Sequence, residues 1–122
     1  MSRISFIEHR GRRILRLDYS GIADPREALA AIAESRRVVA AEPKTGSLLT
    51  LTLVGGAHFD SGVLKAIREM VEHNRPHVRA AAVVGLNGLM RVVYNTMVQL
   101  TGRNIKAFED EEAARSYLVA QQ

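Results

Sequence analysis

Uncharged side chains occupy both faces of the segment from Leu48 to Val54. Leu49, Leu51 and Leu53 fall on one side; Leu48, Thr50, Thr52 and Val54 fall on the other. A strand of that kind is covered from both sides, as inner strands of an α/β sheet are. Gly55 and Gly56 follow and free the chain to turn. Asp60 then stands where a helix N-cap belongs, and Val63, Leu64, Ile67, Met70 and Val71 recur at helical spacing. In open α/β sheets, ligands bind where strand ends hand over to helix N-termini. The loop from Gly55 to Gly62 is therefore the first place to look for a site.

The same reading extends along the chain. Ile4, Phe6 and Ile7 form one short apolar run, and in a second Leu15, Leu17 and Tyr19 alternate with Arg16 and Asp18. His9 to Arg12, with Gly11, is hairpin-sized, so these two strands are antiparallel neighbours. Asp24-Pro25-Arg26-Glu27 opens a helix: Asp24 caps, Pro25 suits the first helical position, and Glu27 stands at the capping-box position. Ala28, Leu29, Ile32 and Val39 make its inner stripe, Glu34 and Arg37 lie outside, and Pro43 and Gly46 end it. The helix after Asp60 carries Lys65–Glu69 and Arg68–Glu72 at (i, i+4) on its outer face and stops at Asn74 and Pro76. Arg79 to Leu86 predicts another strand with an uncharged interior, whose alanines let helices close on the sheet. Asn87 caps a third helix, which Gly102 closes, and Ile105 to Phe108 reads as a short edge strand. Asp110 caps a last helix with Ala113, Ala114, Tyr117 and Leu118 inside. The order ββαβαβαβα predicts an α/β fold: a mixed sheet of about five strands with four helices, the Leu48–Val54 strand being central.

At 122 residues, 47% apolar and 25% charged, the chain has the size and composition of one soluble globular domain spanning 1–122. No apolar run reaches a membrane span and the N-terminus lacks a signal-peptide pattern, so no membrane insertion and a cytoplasmic home are expected. The absence of cysteine excludes disulfides, thiolate zinc sites and a cysteine nucleophile. A net charge of +4 invites a nucleic-acid reading, with Arg10, Arg12, Arg13 and Arg16 gathered in the hairpin. No aromatics are interleaved with them, so they read as a solvated arginine-rich surface, and no nucleic-acid partner is expected.

The element order and the stretch FDSGVLKAI resemble the STAS domain superfamily: the anti-sigma-factor antagonists of bacteria and the related SpoIIAA-like (STAS/SEC14-type) proteins. In that family a central strand ends in a loop whose Asp-Ser-Ser-Gly-type motif opens the second helix, and a partner kinase phosphorylates the serine before the glycine. Phe59, Asp60, Ser61 and Gly62 match, with one serine of the pair missing. The ending FEDEEAARSYL is similar to the last strand and helix of SpoIIAA-like members. The resemblance implies a non-enzymatic regulatory or protein-interaction module, phospho-regulated at Ser61. Its SEC14-type branch implies instead a carrier of a small apolar or lipid-like ligand.

The residues themselves support two candidate regions. Ser61 lies in the first turn of the second helix, where unpaired N–H groups and the macrodipole favour negative charge; Gly62 and Val63 amides could hold a phosphoryl group or anion. Asp60, Gly55, Gly56 and His58 complete that loop. His73 and His77 have the spacing of paired metal ligands, but Pro76 breaks the helix between them, so no metal and no cofactor are expected. No Ser/His/Asp arrangement can be assigned, which argues against an enzyme. The third helix is unusual: from Leu89 to Leu100 its single charge is Arg91, and Leu89, Val93, Met97 and Leu100 share a face. Met90, Tyr94 and Val98 widen that stripe, leaving Arg91, Asn95 and Gln99 as a polar strip. Met90, Tyr94, Met97 and Val98 thus predict either an interface, with a protein partner or a second copy as a homodimer, or the wall of an apolar pocket. An internal cavity favours the carrier; a flat exposed patch favours the interaction module.

Overall fold

Strand β1 (Ile4–His9) runs into β2 (Arg12–Asp18) through Arg10 and Gly11, both at positive φ, 52° and 78°. Such a two-residue turn matches the twist of the strands it joins. The structure, a computed structural model, describes residues 3–101 and 105–121, with the side chains of residues 89, 97, 100 and 101 outside the description. After the hairpin come α1 (Pro25–Ala40), β3 (Leu48–Leu53), α2 (Ser61–Asn74), β4 (Val78–Val84), α3 (Gly88–Thr101), β5 (Ile105–Phe108) and α4 (Glu111–Val119). The sheet order is β1-β2-β3-β4-β5, with β3 central, β1 antiparallel to β2, and the other pairs parallel. Each crossover steps one strand in the same direction, so right-handed connections place α1, α2 and α3 together on one face. The last helix, α4, covers the other.

The period of two along β3 divides the core accordingly. Leu49, Leu51 and Leu53 join Ile14, Ala80, Ala82, Ala114 and Leu118 beneath α4. Leu48 and Val54 join Leu15, Leu17 and Tyr19 beneath α1 and α2. Side-chain oxygens cap all four helices: Asp24 accepts from the Arg26 amide (2.9 Å), Asp60 from Val63 (2.8 Å), Asn87 from Met90 (3.0 Å) and Asp110 from Ala113 (2.8 Å). Each satisfies an amide that the first turn leaves unpaired.

Several local expectations are corrected. Glu27 closes no capping box with Asp24; its carboxylate lies 3.5 Å from the Arg3 guanidinium. Leu29 is 44% exposed, and Ala28, Ala31, Ile32, Ser35 and Val39 form the inner stripe of α1. Ser35 can lie inside because its hydroxyl donates to the Ala31 carbonyl (2.8 Å) and meets the Tyr19 hydroxyl. On α2 the ion pair is Glu72–Arg75 (3.8 Å), not Lys65–Glu69 or Arg68–Glu72; long exposed side chains gain little from such pairing. Ala113 is exposed, one position off the Ala114–Leu118 stripe of α4. Gly102, expected to close α3, lies outside the described residues.

Candidate functional site

The helix-covered face of the sheet is floored by short side chains at its centre. Thr50 and Thr52 of β3 stand beside Ala81 and Val83 of β4, and a register irregularity opposite Leu48 and Leu49 brings Val78 to the same face. Leucine at the two threonine positions would fill the space above them. Nor does α3 fill it, since that helix meets α2 sparsely among the described residues. The Tyr94 hydroxyl donates to the Ile105 carbonyl (3.1 Å), tying α3 to the start of β5. Between sheet, α2 and α3 lies a partly open chamber of about 90 Å³. Leu64, Ile67 and Met70 form one wall, Met90, Val93 and Tyr94 another, and the lining is almost wholly apolar. Phe59 and Leu86, from the loops after β3 and β4, also line it.

No carboxylate, imidazole, guanidinium or amine lines this space among the described residues. Its tyrosine hydroxyls are engaged: Tyr94 as above, and Tyr19 with Ser35 and Met70. Burial pushes the Tyr19 phenol well above its ordinary pKa, so it is a neutral group of the wall.

The loop after β3 is tied to its neighbours by backbone hydrogen bonds. Gly21 donates to the Gly55 carbonyl (2.9 Å), His58 to Ile22 (2.9 Å) and Ala57 to Val54 (3.1 Å). Gly85, at φ +91°, approaches so closely that a Cβ there would stand 2.7 Å from Gly55 N and Cα. Gly56 has φ +71°, as a turn beyond a strand requires. The Asp60 carboxylate accepts from the Val63 amide at the helix start, one of the two amides expected to hold an anion. His58, Asp60, Ser61, Gly62, Gly55 and Gly56 are all exposed, so the Ser61 hydroxyl faces solvent while Phe59 turns towards the chamber.

The residues singled out on α3 are not an outward patch. Met90 is 5% exposed, Tyr94 and Val98 are half-buried, and the Met97 side chain lies outside the described residues. Outward stand Arg91, Asn95, Thr96 and Gln99, and among the described side chains of α3 Val92 (61%) is the exposed large apolar one. His73 and His77 stack with ring centroids 6.5 Å apart, and buried His77 Nδ1 lies 2.9 Å from the Glu42 carbonyl, anchoring the approach to β3. No group of three metal-donating side chains occurs among the described residues. The hairpin arginines are largely tied to the fold. Arg12 donates to the Val119 and Gln121 carbonyls, Arg13 pairs with Glu42 (2.9 Å) and covers the Phe6 ring, and Arg16 pairs with Glu111 (2.9 Å).

Sequence reasoning reached the wall of the chamber through Met90 and Tyr94, whereas Val98 is half-buried outside the lining, and it missed the floor. The available signal was the pair Thr50 and Thr52, two hydroxyls on the inner face of a strand otherwise made of leucine and valine.

Among solved structures the chain is similar to an uncharacterised protein of the DUF3478 family from Shewanella loihica PV-4, described as having a SpoIIAA-like fold. The TM-score is 0.73 at 14% sequence identity, covering 94% of this chain and 91% of that one. The fold is thus SpoIIAA-like, as the resemblance implied. No protein-family model matches the chain, and no curated protein matches it. No helix among the described residues is long and apolar enough to cross a membrane.

Proposed function

We propose that this protein is a non-enzymatic binding module that takes a small apolar ligand into the chamber between the sheet, α2 and α3. The observation that carries this reading is the chamber itself: a space of about 90 Å³ with an almost wholly apolar lining. Well-packed cores leave few voids larger than a water molecule. A lining this poor in polar groups gives water few partners, so it favours a mainly apolar guest. The inward placement of Met90 and Tyr94 favours the ligand over an interface formed by α3. Native mass spectrometry of freshly purified protein tests the reading: a small neutral species released on denaturation is expected, together with apo protein that binds toluene. Apo protein whose chamber methyl resonances ignore saturating toluene overturns it.

A second reading, a module regulated by phosphorylation, is favoured by one observation. Ser61 is exposed at the first turn of α2, where a kinase can reach it and where added negative charge is tolerated. The two readings use different surfaces of α2 and are compatible in one molecule.

A further inference from the structure

We infer that the chamber recognises a neutral ligand bearing one hydrogen-bonding oxygen, held by the hydroxyl of Thr50. This rests on the chamber being a binding site and adds what it selects. Thr50 lies on β3 at the middle of the sheet, facing the chamber, and is 5% exposed. Among the described residues its hydroxyl has no hydrogen-bond partner, yet it is not sealed off: it opens onto the chamber. Buried hydroxyls are nearly always paired, and an unpaired one is destabilising compared with an apolar group of the same shape.

A threonine in a helix can turn its hydroxyl onto a carbonyl one turn back, as Thr96 does with Val92 (3.0 Å). In β3 that route is closed. Thr50 pairs with Leu15 on one side and Ala81 on the other, so the neighbouring backbone groups serve the ladder. Thr52, two residues on and also lining the chamber, places a second hydroxyl about 7 Å away along the strand. Of the other polar groups of the wall, the Tyr19 hydroxyl meets Ser35, the Tyr94 hydroxyl donates to the Ile105 carbonyl, and the Asn74 amide oxygen meets His73 Nδ1 (3.0 Å). Valine at position 50 would fit the core better than threonine, so the hydroxyl points to a guest.

The chemical class follows from the rest of the lining. With no cation on the wall, a carboxylate or phosphate would be buried unpaired, which is strongly disfavoured. A pure hydrocarbon would leave Thr50 unsatisfied. The volume suits one ring or a short branched chain; a void of ~150 Å³ holds benzene, and this chamber, near 90 Å³, is open enough for a ring rim to protrude. A phenol, a cyclic ketone or a small alcohol meets every condition.

Phenol and toluene, alike in size and differing in one hydroxyl, make the test, with benzoate as the charged counterpart. Each is titrated into wild type and Thr50→Val, following methyl resonances of Leu64, Ile67, Val83 and Val93. The affinity ratio of phenol to toluene should fall about fivefold in Thr50→Val, the scale of one net hydrogen bond, and benzoate should not bind. Independently of the variant, phenol should shift the Thr50 methyl of wild type more than toluene does. An unchanged ratio, or benzoate bound as tightly as phenol, overturns the assignment while toluene binding leaves the chamber reading standing. Probes that move none of these methyls overturn both.

Discussion

Isoleucine introduced at two adjacent positions of β4 should have opposite effects on stability. Ala81 lines the chamber; Ala82 is fully buried on the other face, in the cluster that holds Ala114 of α4. Three added carbons at position 81 contribute at most about 2.4 kcal/mol of apolar transfer, at roughly 0.8 kcal/mol each. The chamber sets a similar ceiling: 90 Å³ at roughly 24 cal/mol per Å³ is about 2 kcal/mol. Ordering the isoleucine side chain takes back roughly 0.5–1 kcal/mol, so Ala81→Ile should stabilise by about 1 kcal/mol. Ala82→Ile has no void to enter and should destabilise by about 1–3 kcal/mol, as overpacking does. The chain lacks tryptophan, so urea unfolding followed by far-UV circular dichroism is the assay. The midpoint should rise for the first variant and fall for the second at equal slope, and Ala81→Ile should lose toluene binding. If both midpoints fall alike, α3 is packed down on Ala81 and the space above it does not exist in solution.

Gly85→Ala should cost about 3 kcal/mol or more, from its φ of +91° and a Cβ driven into Gly55 backbone, whereas Gly46→Ala, at φ +64° in open space, should cost only about 1 kcal/mol; equal losses in urea would refute the close approach. The hydrogen bond from the Arg16 guanidinium, helped by Arg115, holds the Glu111 carboxyl below its ordinary value. A carboxyl depressed on folding stabilises above its unfolded pKa and loses that contribution as pH falls through the folded one. The gap in urea midpoint between wild type and Glu111→Gln should therefore shrink from pH 7 towards pH 3, and a constant gap would refute the pairing. Ser61→Asp should stay within about 0.5 kcal/mol of wild type, being exposed at a helix start. If Ser61→Asp and Ser61→Ala capture the same proteins equally well, the regulatory reading is lost.

Much of the fold was legible because it depends on local chemistry. Uncharged faces on both sides of Leu48–Val54 marked the central strand, and Asp24, Asp60, Asn87 and Asp110 each cap the helix they were expected to start. Inner stripes are legible from periodicity without sharp edges: Ala114 is buried as expected, but Leu29 and Ala113 at the stripe margins are exposed and Ser35 is buried. Ser35 escaped notice because its partner, Tyr19, is 16 residues away in sequence, and pairing across elements leaves no local pattern. The site was legible in part for the same reason. Periodicity shows which side of α3 turns inward, and Met90 and Tyr94 on that side line the chamber while Val98 is half-buried outside the lining. How far above the sheet that side stands depends on Thr50, Thr52 and Ala81 being short and on Tyr94 reaching Ile105, relations between segments distant in the chain.

Diffraction from a crystal held under xenon pressure tests most directly whether the space beneath α3 is an apolar binding chamber. Xenon enters dry, carbon-lined cavities without needing a polar partner. The expected result is ordered xenon in contact with Ile67, Val83 and Val93 above the Thr50–Ala81 floor. Absence of xenon there, with α3 seated directly on Ala81 and Val83, would contradict it.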